Sequence, residues 1–193
     1  MMQPVDGFER IETRTAEDVF GTLRAWIEVR ADCLAQMTTS AAVQRRWALV
    51  PISEELVGKE TIALAKACAD WRFERAICIN VNRFDPATAF RFKPTADALE
   101  KVHQLFPSPS HAIMAEDQQF LIVSDGDYYW EIGGPTRFVE QAIGRDVSSA
   151  IREFGAVATA YAARENASAI RKGLLDIYRN CITVYQHSQD QTG

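Results

Sequence analysis

The sequence predicts an α+β protein in which an antiparallel β-meander of three to five strands packs against flanking helices, with long N- and C-terminal helices. Three short apolar runs separated by turn residues lie between His111 and Gly144 and predict the meander. Apolar stripes with helical spacing occupy both ends of the chain and predict the helices. No linker or repeat divides the 193 residues, so we expect a single domain over 1–193, with 1–14 and 186–193 frayed.

The N-terminal third is predicted to be helical. After Thr15, one stripe recurs at spacings of three and four and predicts a helix of about six turns. Its members are Val19, Leu23, Trp26, Ile27, Arg30, Leu34 and Met37. A second helical region begins near Ser53 and reaches Trp71, and Gly58 is a candidate break within it.

Residues 73–84 fit both a helix and a strand. The poor helix propensity of asparagine and of β-branched residues favours a strand, which Phe90-Arg91-Phe92 would follow as a second one. Thr95 is expected to cap a helix that extends to Phe106 and stops before Pro107.

The meander is predicted from its turns. Asp125-Gly126 between two β-prone runs is typical of a tight hairpin, and Asp117-Gln118 joins the preceding strand. If both turns have two residues, Glu116 faces Gln119 and Ser124 faces Asp127, which fixes the two faces of the sheet. The apolar face then carries Ala112, Met114, Leu121, Val123, Tyr128, Trp130 and Ile132, and the mixed face carries His111, Ile113, Ala115, Phe120, Ile122, Ser124, Asp127, Tyr129 and Glu131.

The mixed face is the predicted binding surface, because it carries more apolar residues than a solvated face should. The residues expected to contact a ligand or partner are Phe120, Ile122, Tyr129, Glu131 and Arg137.

The same register places His111, Ser124 and Asp127 in one row, which raises the alternative of a hydrolase. A nucleophilic triad needs the imidazole between the hydroxyl and the carboxylate, whereas here the serine lies in the middle. The chain also lacks a Gly-x-Ser-x-Gly elbow. We therefore interpret the row as polar residues beside a turn and keep the three as low-ranking catalytic candidates.

Metal and thiol chemistry are not predicted. The acids around the meander are Glu116, Asp117, Asp125, Asp127 and Glu131, but Asp117 and Asp125 bracket one strand and would lie about 23 Å apart. The four cysteines, Cys33, Cys68, Cys78 and Cys181, form no C-x-x-C pair and are interpreted as buried thiols. We expect neither a metal nor a cofactor.

The C-terminal part is predicted to be helical. Pro135 and Gly144 bound a short helix, and a stripe from Val147 to Tyr161 follows. The last stripe advances by four, three, four and three, which is typical of lengthwise helix packing, through Ile170, Leu174, Ile177, Cys181 and Val184. It could pack on the chain's own first helix or pair with a second copy, so a homodimer stays open.

Charge and composition limit the classes of function. The net charge is −5, from 21 basic and 26 acidic residues, and the basic residues are spread out, which argues against nucleic acid as a partner. No long apolar run predicts a membrane span, and the first residues lack a signal-peptide pattern, so we expect a cytoplasmic protein. High Ala and Arg with little Lys is typical of bacterial proteins.

We therefore predict a non-enzymatic binding, regulatory or protein-interaction module, whose partner is a second copy, another protein or a small ligand. The alternatives are a small hydrolytic or metal-assisted enzyme at His111, Ser124 and Asp127, and an assembly subunit that associates through its terminal helices.

Overall fold

The computed structural model describes residues 5–30, 35–53, 56–81, 88–106, 110–125, 128–163 and 169–190, and within these ranges the fold is α+β, as predicted. The strands are β1 (Phe8–Arg10), β2 (Ile27–Val29), β3 (Ala35–Met37), β4 (Ala48–Ile52), β5 (Ala76–Asn80), β6 (Phe90–Phe92), β7 (Ser110–Ala115), β8 (Leu121–Asp125) and β9 (Trp130–Gly134). The helices are α1 (Thr13–Trp26), α2 (Thr39–Arg45), α3 (Lys59–Asp70), α4 (Ala96–Leu105), α5 (Thr136–Ile143), α6 (Val147–Ala162) and α7 (Ala169–Asp190).

One antiparallel sheet of seven strands forms the centre of the molecule, in the order β1-β6-β5-β7-β8-β9-β4. The predicted meander is its β7-β8-β9 part. The strand predicted within residues 73–84 is β5, and it extends the sheet on one side together with the predicted strand 90–92, which is β6. The sheet is therefore larger than the predicted three to five strands. β2 and β3 form a separate antiparallel pair.

The sheet lies between two layers. On one face, Phe120 of the sheet stacks on Phe138 of α5, and α3 packs against both α4 and α5. On the other face, α6, α7, α2 and the β2-β3 pair cover the strands, and Tyr129 contacts Phe154 of α6. We call these the α5 face and the α7 face. Because both faces are covered, almost every side chain of β4, β5 and β7 to β9 is buried.

Of the two strand pairs in the meander, β7-β8 has the predicted register and β8-β9 does not. Between β7 and β8, His111 lies opposite Ser124, as the two-residue rule requires. Between β8 and β9, Ser124 lies opposite Trp130, three residues beyond the predicted Asp127. The hairpin closes at Asp125 and Tyr129, since the Asp125 N–H donates to the Tyr129 carbonyl and the Tyr128 N–H donates to the Asp125 carbonyl. An odd shift moves every β9 side chain to the opposite face.

The first helix is shorter than predicted, because α1 ends at Trp26. Ile27 adopts an extended conformation, with φ −119° and ψ 131°, and pairs with Met37 across β2-β3. The β-branched Ile27 and Val29 favour this geometry, which also buries both Ile27 and Met37. Leu34 of the predicted stripe lies outside the described residues.

β4 was not predicted, because Ala-Leu-Val-Pro-Ile does not alternate and contains a proline. Its five residues are all buried and pair with β9, which places β4 at the edge of the sheet. Proline is tolerated on an edge strand, since the outer side of such a strand has no partner to accept a hydrogen bond.

Several predicted helix ends are confirmed. Thr95 accepts a hydrogen bond from the Ala98 N–H and so caps α4. Gly144, at φ 69°, ends α5 in the left-handed conformation that glycine favours. The second helical region begins at Lys59 and not near Ser53 as predicted, since Ser53, Leu56 and Val57 are not helical and Gly58, at φ 59°, immediately precedes α3.

The C-terminal stripe is used inside the chain, where α7 packs on α6, β4 and α2 rather than on the first helix. The closest approach is at Gly155 of α6, where the ring of Tyr178 occupies the space that a β-carbon would need.

Cys68, Cys78 and Cys181 are buried free thiols, as predicted, and Cys33 lies outside the described residues. Among the described residues, no helix has the length and apolarity to cross a bilayer.

Candidate functional site

Two neighbouring residues of β9 carry the polar groups of most interest. Trp130 faces the α5 layer and Glu131 faces the α7 layer, because successive side chains of a strand alternate between faces. Both are about 1% exposed.

A cleft of about 330 Å³ lies on the α5 face, between the start of α3 and the end of α5. Its walls combine apolar side chains with three charged ones. The lining residues are Ile52, Lys59, Glu60, Ala63, Trp130, Ile143, Gly144 and Arg145. The volume matches the lower end of small-molecule pockets.

The indole of Trp130, which lines this cleft, carries a donor without a described acceptor. Its Nε1–H is buried and has no acceptor among the described residues. Trp71 offers a contrast, since its Nε1–H donates to Gln141 Oε1 at 2.6 Å. A buried donor without an acceptor costs about 1–3 kcal/mol. A molecule with an acceptor, bound in the cleft, could remove that cost.

The charges lie at the rim of the cleft. Lys59 is 83% exposed and its Nζ lies 3.3 Å from Glu60. Arg145 Nη1 lies 2.5 Å from Glu153. Two basic groups and one acidic group line the cleft itself, and Glu153, the partner of Arg145, is not among the lining residues.

On the α7 face, Glu131 is enclosed by protein. Its Oε2 accepts a hydrogen bond from the Met37 N–H at 2.6 Å, and its Oε1 accepts one from Cys181 Sγ at 3.4 Å. Burial raises the pKa of Glu131 to about 7, although these two hydrogen bonds act in the opposite direction. A single carboxylate therefore joins β9, β3 and α7.

The neighbours of Glu131 are also satisfied within the fold. The Tyr129 hydroxyl donates to the Ala35 carbonyl of β3. Burial raises the pKa of Tyr129 and of Cys181, and the nearby Glu131 charge raises both further. At the border of this region, Arg30 Nη2 bonds Asp176 Oδ2 of α7 at 2.9 Å.

The structure brings together two of the three catalytic candidates. His111 and Ser124 are cross-strand partners on the α5 face, 1% and 3% exposed, and the His111 ring stacks on Phe106 at 5.9 Å between centroids. Asp127 lies outside the described residues. The imidazole and hydroxyl are thus neighbours that are closed off from solvent.

The predicted binding residues are separated. Phe120 and Ile122 face the α5 layer, Tyr129 and Glu131 face the α7 layer, and all four are buried. The exposed mixed face on which the prediction depended is therefore absent among the described residues, because the register differs and both faces are covered. Arg137 is exposed on α5 and lines a separate depression with Asp70, Trp71 and Gln141.

The acids around the meander are dispersed. Glu116 forms an ion pair with Arg91 at 2.6 Å, and Glu131 is buried on the α7 face. Among the residues that the structure describes, no group of three His, Cys, Asp or Glu side chains could hold a metal ion.

The Trp130 cleft was missed by sequence reasoning. Trp130 was recognised as a core residue, but its lack of an acceptor depends on α3 and α5, which the sequence does not place next to β9.

Comparison of the chain with protein-family models, curated protein sequences and solved structures finds no match. The class of protein is therefore defined by the fold alone: an α+β sandwich whose antiparallel sheet lies between two covering layers.

Proposed function

We propose that this protein is a non-enzymatic binding module that takes a small molecule in the cleft above Trp130. The observation that carries the proposal is the buried Nε1–H of Trp130, which lacks an acceptor among the described residues and belongs to a residue that lines the cleft. Binding sites commonly pair an apolar wall with a few unsatisfied polar groups.

The lining of the cleft defines the chemistry of the ligand. Trp130 calls for a carbonyl, hydroxyl or carboxylate oxygen as acceptor. Ile52, Ala63 and Ile143 suit a short apolar body. Lys59 and Arg145 at the rim favour an anionic group, so a small carboxylic acid that carries a second oxygen acceptor fits all three features.

The burial of His111 and Ser124 supports binding over hydrolysis. A hydrolase must bring substrate to its nucleophile, whereas the Ser124 hydroxyl is enclosed between two layers. The cleft on the same face has no such obstacle, since Lys59 at its rim is exposed.

The test uses the indole signals in an ¹H–¹⁵N NMR spectrum. The chain has four tryptophans, and Trp130→Phe identifies the Trp130 signal by its loss. We expect levulinate, or another small oxo acid from a fragment set, to shift the Trp130 signal downfield as its oxygen accepts the hydrogen bond. The Trp71 signal should stay in place, because its donor is already bonded to Gln141.

Two further measurements complete the experiment. Trp130→Phe should abolish binding of the fragment that shifts the signal, while Trp71→Phe, the matched control, should leave its affinity unchanged. If no acid, ketone or amide of the set shifts the Trp130 signal, or if Trp130→Phe binds as well as the parent chain, the proposed site is wrong.

A further inference from the structure

Glu131 connects three separate parts of the fold through its own oxygens. It extends from β9 in the central sheet, accepts from the backbone of Met37 in β3, and accepts from Cys181 in α7. β3 and α7 are far apart in sequence, so the shared acceptor adds a polar contact where apolar packing otherwise holds the α7 layer.

We propose that Glu131 acts as a pH-sensitive latch, whose protonation sets how firmly β3 and α7 are held against the central sheet. This inference stands apart from the ligand cleft, which lies on the opposite face of β9.

The physical basis is the burial of a carboxylate. Desolvation penalises the ionised form and raises the pKa of Glu131 from its ordinary 4.5 to about 7. The folded chain therefore binds the proton more tightly than the unfolded chain does. The latch is strongest below pH 4.5 and weakens as the pH rises to about 7.

The other titratable and charged groups around Glu131 do not account for this pH dependence. On the sheet, Tyr129 and Asp125 lie on the same face, and the Tyr129 hydroxyl bonds Ala35. From α7, Cys181 is the contacting thiol, and its raised pKa keeps it protonated. Arg30 follows β2 and is paired with Asp176 of α7, whose pKa that guanidinium lowers. Arg30, the cation that acts on the neighbouring Tyr129, is therefore already engaged by a carboxylate other than Glu131.

The apolar neighbours make the junction sensitive to this one charge. Met37 is buried, and its thioether lies where a β-carbon on Gly133 would be, so β3 sits directly on β9. The Phe154 ring of α6 packs beside Tyr129. The ionised carboxylate accepts hydrogen bonds from the Met37 N–H and the Cys181 thiol, while burial penalises its charge.

The experiment measures amide hydrogen-exchange protection factors, corrected for intrinsic rates, across pH 4.5 to 8. In the parent chain, protection of β3 and of α7 around Cys181 should fall on the order of a hundredfold as Glu131 ionises, as a shift from 4.5 to about 7 implies. Glu131→Gln keeps an oxygen for the Met37 N–H but cannot ionise, so protection should become independent of pH. Glu17→Gln, at an exposed position of α1, is the matched control and should behave as the parent chain does.

Cys181→Ala gives a second test that does not depend on the folding of Glu131→Gln. Removing the thiol takes away a donor that favours the ionised form, so the midpoint of the protection change should move to higher pH. The proposal is overturned if protection of β3 and α7 in the parent chain is flat with pH, if Glu131→Gln retains the fall, or if Cys181→Ala leaves the midpoint in place.

Discussion

Trp130 and Glu131 are adjacent on β9, yet the two layers of the molecule give their polar atoms different surroundings. On the α5 face, the Trp130 donor has no acceptor among the described residues and lies beside a cleft. On the α7 face, both oxygens of Glu131 have donors, and the neighbouring Tyr129 hydroxyl bonds Ala35. The two neighbours therefore differ in that both oxygens of Glu131 accept hydrogen bonds, whereas the Trp130 donor lacks a described acceptor. A ligand with an acceptor can therefore form an additional hydrogen bond on the α5 face, where the Trp130 donor is unused.

The largest expected effect concerns the packing of the α7 layer. Gly155→Ala would place a methyl group in the space of the Tyr178 ring, so the ring or the α6-α7 contact must shift. We expect a loss of about 2 kcal/mol in the free energy of unfolding, although alanine is the better helix former. Urea denaturation measures it. Gly21→Ala in α1, where nothing lies within 4 Å, is the control and should gain up to about 1 kcal/mol. Equal gains at both positions would contradict the close packing of α6 on α7.

The next effect tests the satisfied polar atoms of the α7 face. Tyr129→Phe removes the hydroxyl that donates to Ala35 and leaves that buried carbonyl without its donor. We expect a loss of about 1–2 kcal/mol in the free energy of unfolding, measured by urea denaturation. A variant as stable as the parent chain would mean that this hydroxyl contributes no net stability.

A smaller effect is expected on the opposite face. Trp130→Phe loses packing volume but also removes the donor that has no described acceptor, so the two terms oppose each other. The free energy of unfolding should change by less than about 1 kcal/mol, less than for Tyr129→Phe. The reverse order, in the same denaturation series, would remove the distinction between the two faces.

The smallest effect contrasts the buried carboxylate with an exposed one. Asp146 caps α6 by accepting from the Ser149 N–H at 2.8 Å. Hydrogen bonds from Ser148 and then Ser149 lower the pKa of Asp146 from 3.8 to about 2. Its folded pKa is depressed, so its contribution is present above pH 3.8 and is lost as the pH falls to about 2, opposite to Glu131.

Asp146→Asn keeps a capping oxygen but cannot titrate. The thermal unfolding midpoint should therefore fall less in this variant than in the parent chain as the pH is lowered from 3.8 to about 2. An unchanged decline would show that the cap is not the source of that acid sensitivity.

The sequence predicted the α+β class, the β7-β8 register and several helix ends, because these depend on local signals such as Thr95 and Gly144. It failed where tertiary contacts decide. The helical stripe continued past Trp26, but Ile27 and Met37 are extended because they pair across β2-β3 and are both buried. At Asp125 the turn signal was right about place and wrong about length, and the resulting shift exchanged the faces of Tyr129 and Glu131.

The candidate site was harder to predict for the same reason. The alternation of side chains along a strand correctly placed Trp130 and Glu131 on opposite faces, and it can be read from the sequence alone. Whether an indole N–H finds an acceptor depends on side chains from α3 and α5, which no local pattern specifies. The binding role predicted for Phe120, Ile122, Tyr129, Glu131 and Arg137 stays a prediction.

Pro51 gives the edge of the sheet a property that concerns contact between molecules. It lies at the fourth of the five positions of β4, opposite Glu131, and has no N–H to offer outward. A strand arriving from another chain would find an interrupted row of donors there. At the other edge, β1 has only three residues. Short or proline-interrupted edges discourage the strand-to-strand addition that begins amyloid growth, so the ends of this sheet are protected against self-templating.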